Sequence, residues 1–136
     1  MKIKLDKGAI MPTRAHDTDA GFDIYTPTRI VLWGRTFETV DTGVHVEIPP
    51  GYVGLLKSKS GLMRWDGITT EGTIDSGYSG SICVTLFNHS DRFLVFRPGE
   101  KITQLVIVPC LIEPAELVDE IASGERGENG FGSTGR

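Results

Sequence analysis

The chain has 136 residues, 39% of them hydrophobic and 24% charged, with a net charge of −4. That length and balance predict one domain with a real core and exclude a wholly disordered chain. The acidic balance argues against a partner gripped by phosphate neutralisation, so no nucleic acid is expected. No apolar run approaches the ~18 residues of a membrane-spanning helix, so no membrane is expected either.

Lys2 to Leu5 alternate and predict a short strand. The basic start has no apolar stretch behind it and does not read as a signal peptide. Residues 7–20 carry no sustained period and predict a loop. Strand-like runs follow at Phe22–Tyr25, Ile30–Trp33, Thr36–Val40 and Val44–Ile48, the last ending in the turn chemistry of Pro49-Pro50-Gly51. Val53 to Leu56 predict another strand. Ser58 to Trp65 break the alternation, and Leu62–Trp65 suit a single short helix. A hairpin is predicted around residues 75–81, then strands at Arg92–Phe96 and Lys101–Val108. Within the last, Ile102 and Gln104 fall on one face, Thr103 and Leu105 on the other; Leu105 to Val108 are all apolar, which suits a central strand. Glu113–Ile121 reads as a strand or a short helix. Many short strands with turns roughly every 8–12 residues predict an all-β sandwich or barrel. Cys83 and Cys110 are too few for a disulfide framework, so a reducing, cytoplasmic setting is expected.

The stretch Gly72-Thr73-Ile74-Asp75-Ser76-Gly77-Tyr78-Ser79-Gly80 sets a carboxylate and an aromatic ring on one turn. Glycine adopts positive φ without steric cost, so Gly77 and Gly80 mark the reversal. Asp75 and Tyr78 there suit a pocket that holds a flat group and activates a water; the plain alternative is an Asx-turn over a packed tyrosine. Asp19 and Asp23 flank a glycine corner, where carboxylates suit the hydration shell of Mg²⁺ as well as a solvated turn. Ser58-Lys59-Ser60-Gly61 offers hydroxyls, an ammonium and backbone N–H groups. It suits an anion, or a simple helix cap by Ser60. Gln104 is polar among apolar neighbours, either paired in the core or turned to a ligand. His16, His45 and His89 show no zinc-ligand spacing. Residues 122–136 hold glycines, Arg126, Phe131, Ser133 and Thr134, a composition that suits either a solvated tail or an arm folding over a phosphorylated ligand.

Five segments together resemble the ordered motifs of the trimeric dUTPase family, the dUTP diphosphatases. They are Asp19–Ile24, Ser58–Met63, Gly72–Gly80, Arg97–Leu105 and Arg126–Gly135, spanning residues 19–135. The resemblance implies an all-β, distorted jelly-roll β-barrel of the β-clip kind, built from residues 1–121, with 122–136 as a C-terminal arm closing over the site. It implies a homotrimer with active sites at subunit interfaces, hydrolysing dUTP to dUMP and pyrophosphate with Mg²⁺ as cofactor. By position, Asp75 activates the attacking water and Tyr78 packs under the deoxyribose, excluding a 2′-hydroxyl. Gly72, Thr73, Ile74, Ser81 and Ile82 read the uracil edge through their backbones. Ser60 and Gly61 hold phosphates, with Ser58, Lys59 and Gln104 in the same substrate site, and Asp23 orients Mg²⁺ through water. Arg126, Ser133 and Thr134 clamp the γ-phosphate, and Phe131, beside Gly132, stacks on the uracil; Phe93 is the alternative ring.

Four positions depart from the commonest family pattern: Lys59 for arginine, Met63 for alanine, Ser79 for arginine and Asn129 for glycine. Lys59 keeps the charge but not the bidentate fork. Two rival readings share the fold. A dCTP deaminase needs a glutamate soon after the hairpin, and Ile82–Asn88 has none. A non-catalytic binding protein has no need of the intact Asp75.

Overall fold

The structure, a computed structural model, describes residues 1–124 together with Gly127 and Glu128. It contains strands β1 (Lys2–Leu5), β2 (Gly21–Tyr25), β3 (Ile30–Leu32), β4 (Phe37–Asp41), β5 (Val44–Glu47), β6 (Tyr52–Lys57), β7 (Ile68–Thr69), β8 (Glu71–Ile74), β9 (Cys83–Asn88), β10 (Leu94–Phe96) and β11 (Lys101–Pro109). The helical element is a single π-turn, Leu62–Asp66, closed by Gly67 in the left-handed region at φ 69°. The fold is all-β, as expected. Its strands form four sheets, ordered β1-β5, β10-β3, β2-β11-β6-β8 and β4-β9-β7, and do not close into one barrel. No helix among the described residues is long and apolar enough to cross a membrane.

The alternation that marks the strands also builds the core. On β5, Val44 and Val46 are buried while His45 and Glu47 face outward; on β9, Val84 and Leu86 are fully buried between exposed Cys83 and Phe87. These side chains meet Ile24, Leu32, Leu56, Ile68, Ile82, Ile102 and Leu105 in one cluster. Each such fully buried aliphatic contributes about 1.5–3 kcal/mol of transfer free energy. β11 lies at the centre of the largest sheet, between β2 and β6. Its register on β2 shifts between Lys101 and Thr103. A bulge of this kind inserts one residue and reverses the facing of the residues beyond it. Ile102 and Thr103 are accordingly both buried.

Two expectations change. The 75–81 segment is not a hairpin: β8 pairs with β6, and β9 pairs with β4 and β7, so the segment is a corner carrying the chain from one sheet to another. Local alternation shows that two strands flank a turn but not which partners they choose. Glu113–Ile121 forms neither strand nor helix. Among the described residues its large apolar side chains stay exposed, Leu117 fully.

Candidate active site

The 75–81 corner is pinned at both ends by buried isoleucines. Ile74 ends β8, and Ile82 donates its N–H to the Val44 carbonyl at 2.8 Å. The Ile82 carbonyl accepts from the Thr42 N–H at 3.1 Å and from Thr42 Oγ1 at 2.7 Å. Both backbone groups of Ile82 are therefore engaged and fully buried. The expected contact of Ile82 with a uracil edge does not fit, and its role here is to anchor the corner. Between the isoleucines, the Tyr78 N–H donates to the Asp75 carbonyl at 3.1 Å, and Gly77 takes φ +88° at the third position of that turn. Gly80 does not take positive φ; its need for glycine is spatial. A Cβ there would lie 2.5 Å from Tyr78 Cζ, because the ring folds back over it. The Tyr78 hydroxyl donates to the Ser81 carbonyl at 3.0 Å, which fixes the ring while leaving the residue 46% exposed.

Thr73, Ile74, Asp75, Tyr78, Ser81 and Cys83 line a cleft of about 180 Å³. Cys83 is a lining residue that sequence reasoning missed; its only signal was parity, since it falls on the outward face of β9. Ser81 Oγ donates to Asp41 Oδ1 at 2.5 Å, and the Gly43 N–H donates to the same oxygen at 3.0 Å. Those two donors, Ser81 first, hold the Asp41 carboxyl below its usual range. β8 is an edge strand, so among the described residues alternate members of Glu71–Ile74 turn their backbone N–H and C=O away from β6, beside the cleft. Gly72 sits opposite Leu56, with room for a Cβ only 3.0 Å from Leu56 Cδ1.

A second cluster gathers around Asp23 on β2. Lys59 Nζ lies 2.5 Å from Asp23 Oδ1 and Lys101 Nζ 2.7 Å from Oδ2, while the carboxylate is nearly buried. Burial pushes the Asp23 carboxyl up, but hydrogen bonds and charge from Lys101 and Lys59 outweigh it and hold the group below the usual carboxylate range. The Asp23 hydrogen bond likewise raises Lys101. Gln104 stands directly opposite Asp23, over Gly21, and donates Nε2–H to the Ser58 carbonyl at 3.3 Å. Ser58 Oγ donates to the Thr70 carbonyl and accepts from the Thr70 N–H, both at 3.0 Å, so it braces the loop. Ser60 and Gly61 open the π-turn, and Ser60 is exposed. The Met63 N–H bonds the Lys59 carbonyl at 2.9 Å. Five residues are too short for a useful dipole, so the loop offers hydroxyl, ammonium and free N–H groups instead.

The Asp23 cluster does not suit a resident Mg²⁺. Each carboxylate oxygen already accepts from an ammonium, and the trio is net positive. Among the described residues no group of three or more His, Cys, Asp or Glu is placed to hold a metal ion. A cationic loop braced by one carboxylate fits a phosphate chain better. Lys101 is the second residue missed by sequence reasoning. In a regular strand Lys101 and Gln104 point to opposite faces; the bulge puts both on the face of Asp23.

The two clusters are kept apart by β8. Lys57 and Thr70, beside the Ser58 loop, mark one end, and Ile74, before Asp75, marks the other. At about 3.3 Å per residue this strand holds the clusters roughly 10 Å apart along its length. Arg126, Phe131, Gly132, Ser133 and Thr134 lie outside the described residues. Phe93, the alternative ring, is exposed and tilts against Trp33 with ring centroids 5.5 Å apart.

The family model for dUTPase matches residues 7–135. The chain belongs to the dUTPase family. Deoxyuridine 5′-triphosphate nucleotidohydrolase of Crocosphaera subtropica is 38% identical over 136 residues, covering 98% of this chain and 96% of that protein. The enzyme of the same name from Tropheryma whipplei is 40% identical, covering 97% and 93%. Among solved structures, the dUTPase of Staphylococcus bacteriophage 80alpha with dUpNHpp superposes with a TM-score of 0.90 at 34% identity, covering 99% and 98% of the two chains. A mutant dUTPase from phage phi11 of S. aureus, described with a structural Mg(II) ion, gives 0.82 at 31% identity over 88% and 96%. Of the segments that resemble the family's motifs, Gly72–Gly80 forms the Asp75 corner, while Asp19–Ile24, Ser58–Met63 and Arg97–Leu105 supply Asp23, Lys59, Lys101 and Gln104 to the second cluster.

Proposed function

We propose that this chain hydrolyses dUTP to dUMP and pyrophosphate, limiting uracil in DNA and supplying dUMP for dTMP synthesis. The observation that carries the reading is the Asp75–Tyr78 turn: a carboxylate and a locked, half-exposed ring share one small cleft beside an open strand edge. The outward-facing backbone groups along the Gly72–Ile74 edge match the hydrogen-bonding edge of a uracil. The Tyr78 ring, held by Ser81 and shaped by Gly80, lies under the deoxyribose and leaves no room for a 2′-hydroxyl. Asp75 accepts the proton of the attacking water. Water adds to phosphorus, the bond to the pyrophosphate oxygen breaks, and the negative charge on the leaving group is met by Lys59 and by N–H groups of Ser60 and Gly61. Mg²⁺ would supply charge neutralisation on the triphosphate, and the Asp23 carboxylate, already matched by the Lys59 and Lys101 ammonium groups, would not hold it directly.

A cleft of about 180 Å³ holds a base, not a nucleoside triphosphate, since pockets for whole small ligands run to several hundred Å³. The phosphate-binding groups lie at the far end of β8. We infer that a homotrimer completes each site, with the corner of one subunit facing the Asp23 cluster of the next, and that residues 122–136 close over it through Arg126, Phe131, Ser133 and Thr134.

The test is pyrophosphate release with Mg²⁺ from dUTP, dCTP, dTTP and UTP. Release from dUTP alone is expected. Ammonia from dCTP would replace this reading with a deaminase, and nucleotide binding without pyrophosphate would replace it with a non-catalytic role.

A further inference from the structure

We propose that His45 is a positioning residue for the substrate corner: its imidazolium bridges the Ser79 carbonyl to the Asp6 carboxylate and so fixes Tyr78 and Asp75. The inference rests on the proposed role of that corner in dUTP hydrolysis.

His45 projects from the outward face of β5 beneath the corner. Its Nδ1 lies 2.8 Å from the Ser79 carbonyl oxygen and its Nε2 lies 3.0 Å from Asp6 Oδ2. The side chain is 16% exposed. A carbonyl and an ionised carboxylate can only accept. A neutral imidazole has one N–H and satisfies one of them; the imidazolium satisfies both. The hydrogen bond to Asp6, and then that to Ser79, raise His45 above its ordinary value, and His45 in turn lowers Asp6. Asp6 is itself a fixed post, because its N–H donates to the Gly43 carbonyl at 2.9 Å.

The charged surroundings come from three strands. Lys4 of β1 is the cross-strand partner of His45 and lies 3.6 Å from Asp6 Oδ1. Asp41 at the end of β4 adds a second carboxylate field. Lys2 and Glu47 pair with each other at 2.9 Å along the same groove. The corner itself presents the uncharged Ser79 carbonyl. Two carboxylates against the Lys4 ammonium favour the charged ring.

The tether has little redundancy. Among the described residues, the tip Ser76–Ser79 reaches the body of the domain through this one hydrogen bond. The Asp41–Ser81 contact holds only the trailing end. When His45 loses its proton, a ring that keeps Nδ1–H for Ser79 turns a lone pair on Asp6, and a ring that keeps Nε2–H for Asp6 releases the tip. The corner is tied while pH is below the raised value of His45 and loosens as pH rises through it.

The experiment pairs ring ¹⁵N NMR of His45 and amide shifts of Tyr78 and Ser79 with kcat and KM for dUTP across pH, in the wild type, His45→Gln and Asp6→Asn. In the wild type, KM should rise along an alkaline limb that coincides with the His45 titration and with movement of the Ser79 amide. His45→Gln should lose that limb and carry a KM raised on the order of tenfold, the loss of a charge-assisted hydrogen bond. Asp6→Asn keeps the ring and shifts both limb and titration to lower pH, so it tests the bridge even if His45→Gln folds poorly. An unchanged limb in His45→Gln, or a His45 titration indifferent to Asp6→Asn, overturns the proposal. Absence of dUTP turnover in the wild type overturns the proposed function instead, and the NMR arm still decides whether the tether exists.

Discussion

Lys101 Nζ stands 2.7 Å from Asp23 Oδ2, although Lys101 lies opposite Tyr25, two residues further along β2. Tyr25 and Asp23 share a strand face, and Lys59 completes the arrangement from the loop after β6. One carboxylate thus joins β2, β11 and the loop that follows β6. Asp23→Asn should lower the melting temperature at neutral pH and raise KM for dUTP. The pH dependence has a definite sign. The folded carboxyl titrates below its ordinary value of about 3.9. Its stabilisation is therefore present above that value and lost as pH falls through the lower, folded one. Thermal melts of wild type and Asp23→Asn should differ at pH 7 and converge in strong acid.

Asp75→Asn keeps the shape of the corner and removes the base. Turnover should fall on the order of 10²–10⁴-fold. Calorimetry with dUpNHpp should show near-normal binding. Unimpaired pyrophosphate release would remove Asp75 from the reaction.

Gly80→Ala places a methyl against the Tyr78 ring, 2.5 Å from Cζ. The ring must swing from the Ser81 carbonyl, and the surface under the sugar opens. We expect a higher KM for dUTP and, more tellingly, a larger ratio of kcat/KM for UTP over dUTP. Melting should barely change, because the corner is exposed and its anchors Ile74 and Ile82 are untouched.

Removal of Mg²⁺ by a chelator should stop dUTP hydrolysis while leaving the melting curve of the free protein in place. The separation follows from Asp23, whose oxygens are already matched by ammonium groups. A chelator-induced drop in melting temperature would reveal a resident site elsewhere.

Much of this was legible beforehand, for physical reasons. Strand-like runs located β1 to β6, β10 and β11, most clearly β5, where buried Val44 and Val46 alternate with outward His45 and Glu47 as a pleated strand with one buried face requires. Gly77 signalled the Asp75–Tyr78 turn, since its φ of +88° suits glycine. The pairing of strands was less legible, since alternation carries no partner information; the corner was therefore mistaken for a hairpin. The bulge before Thr103 hid Lys101 on the wrong face. Ile82 looked available because its backbone partners, Thr42 and Val44, come from a distant strand turn. Leu117, Val118 and Ile121 suggested regular structure, yet apolar residues order a segment only where something covers them.

The length of β8 has a genetic consequence. If the Asp75 corner and the Lys59 loop of one working site belong to different subunits, two crippled chains can rescue each other. Asp75→Asn and Lys59→Ala proteins, each poorly active alone, should regain activity after co-refolding, because some mixed assemblies pair an intact corner with an intact loop. Chains that carried both halves themselves could show no such complementation.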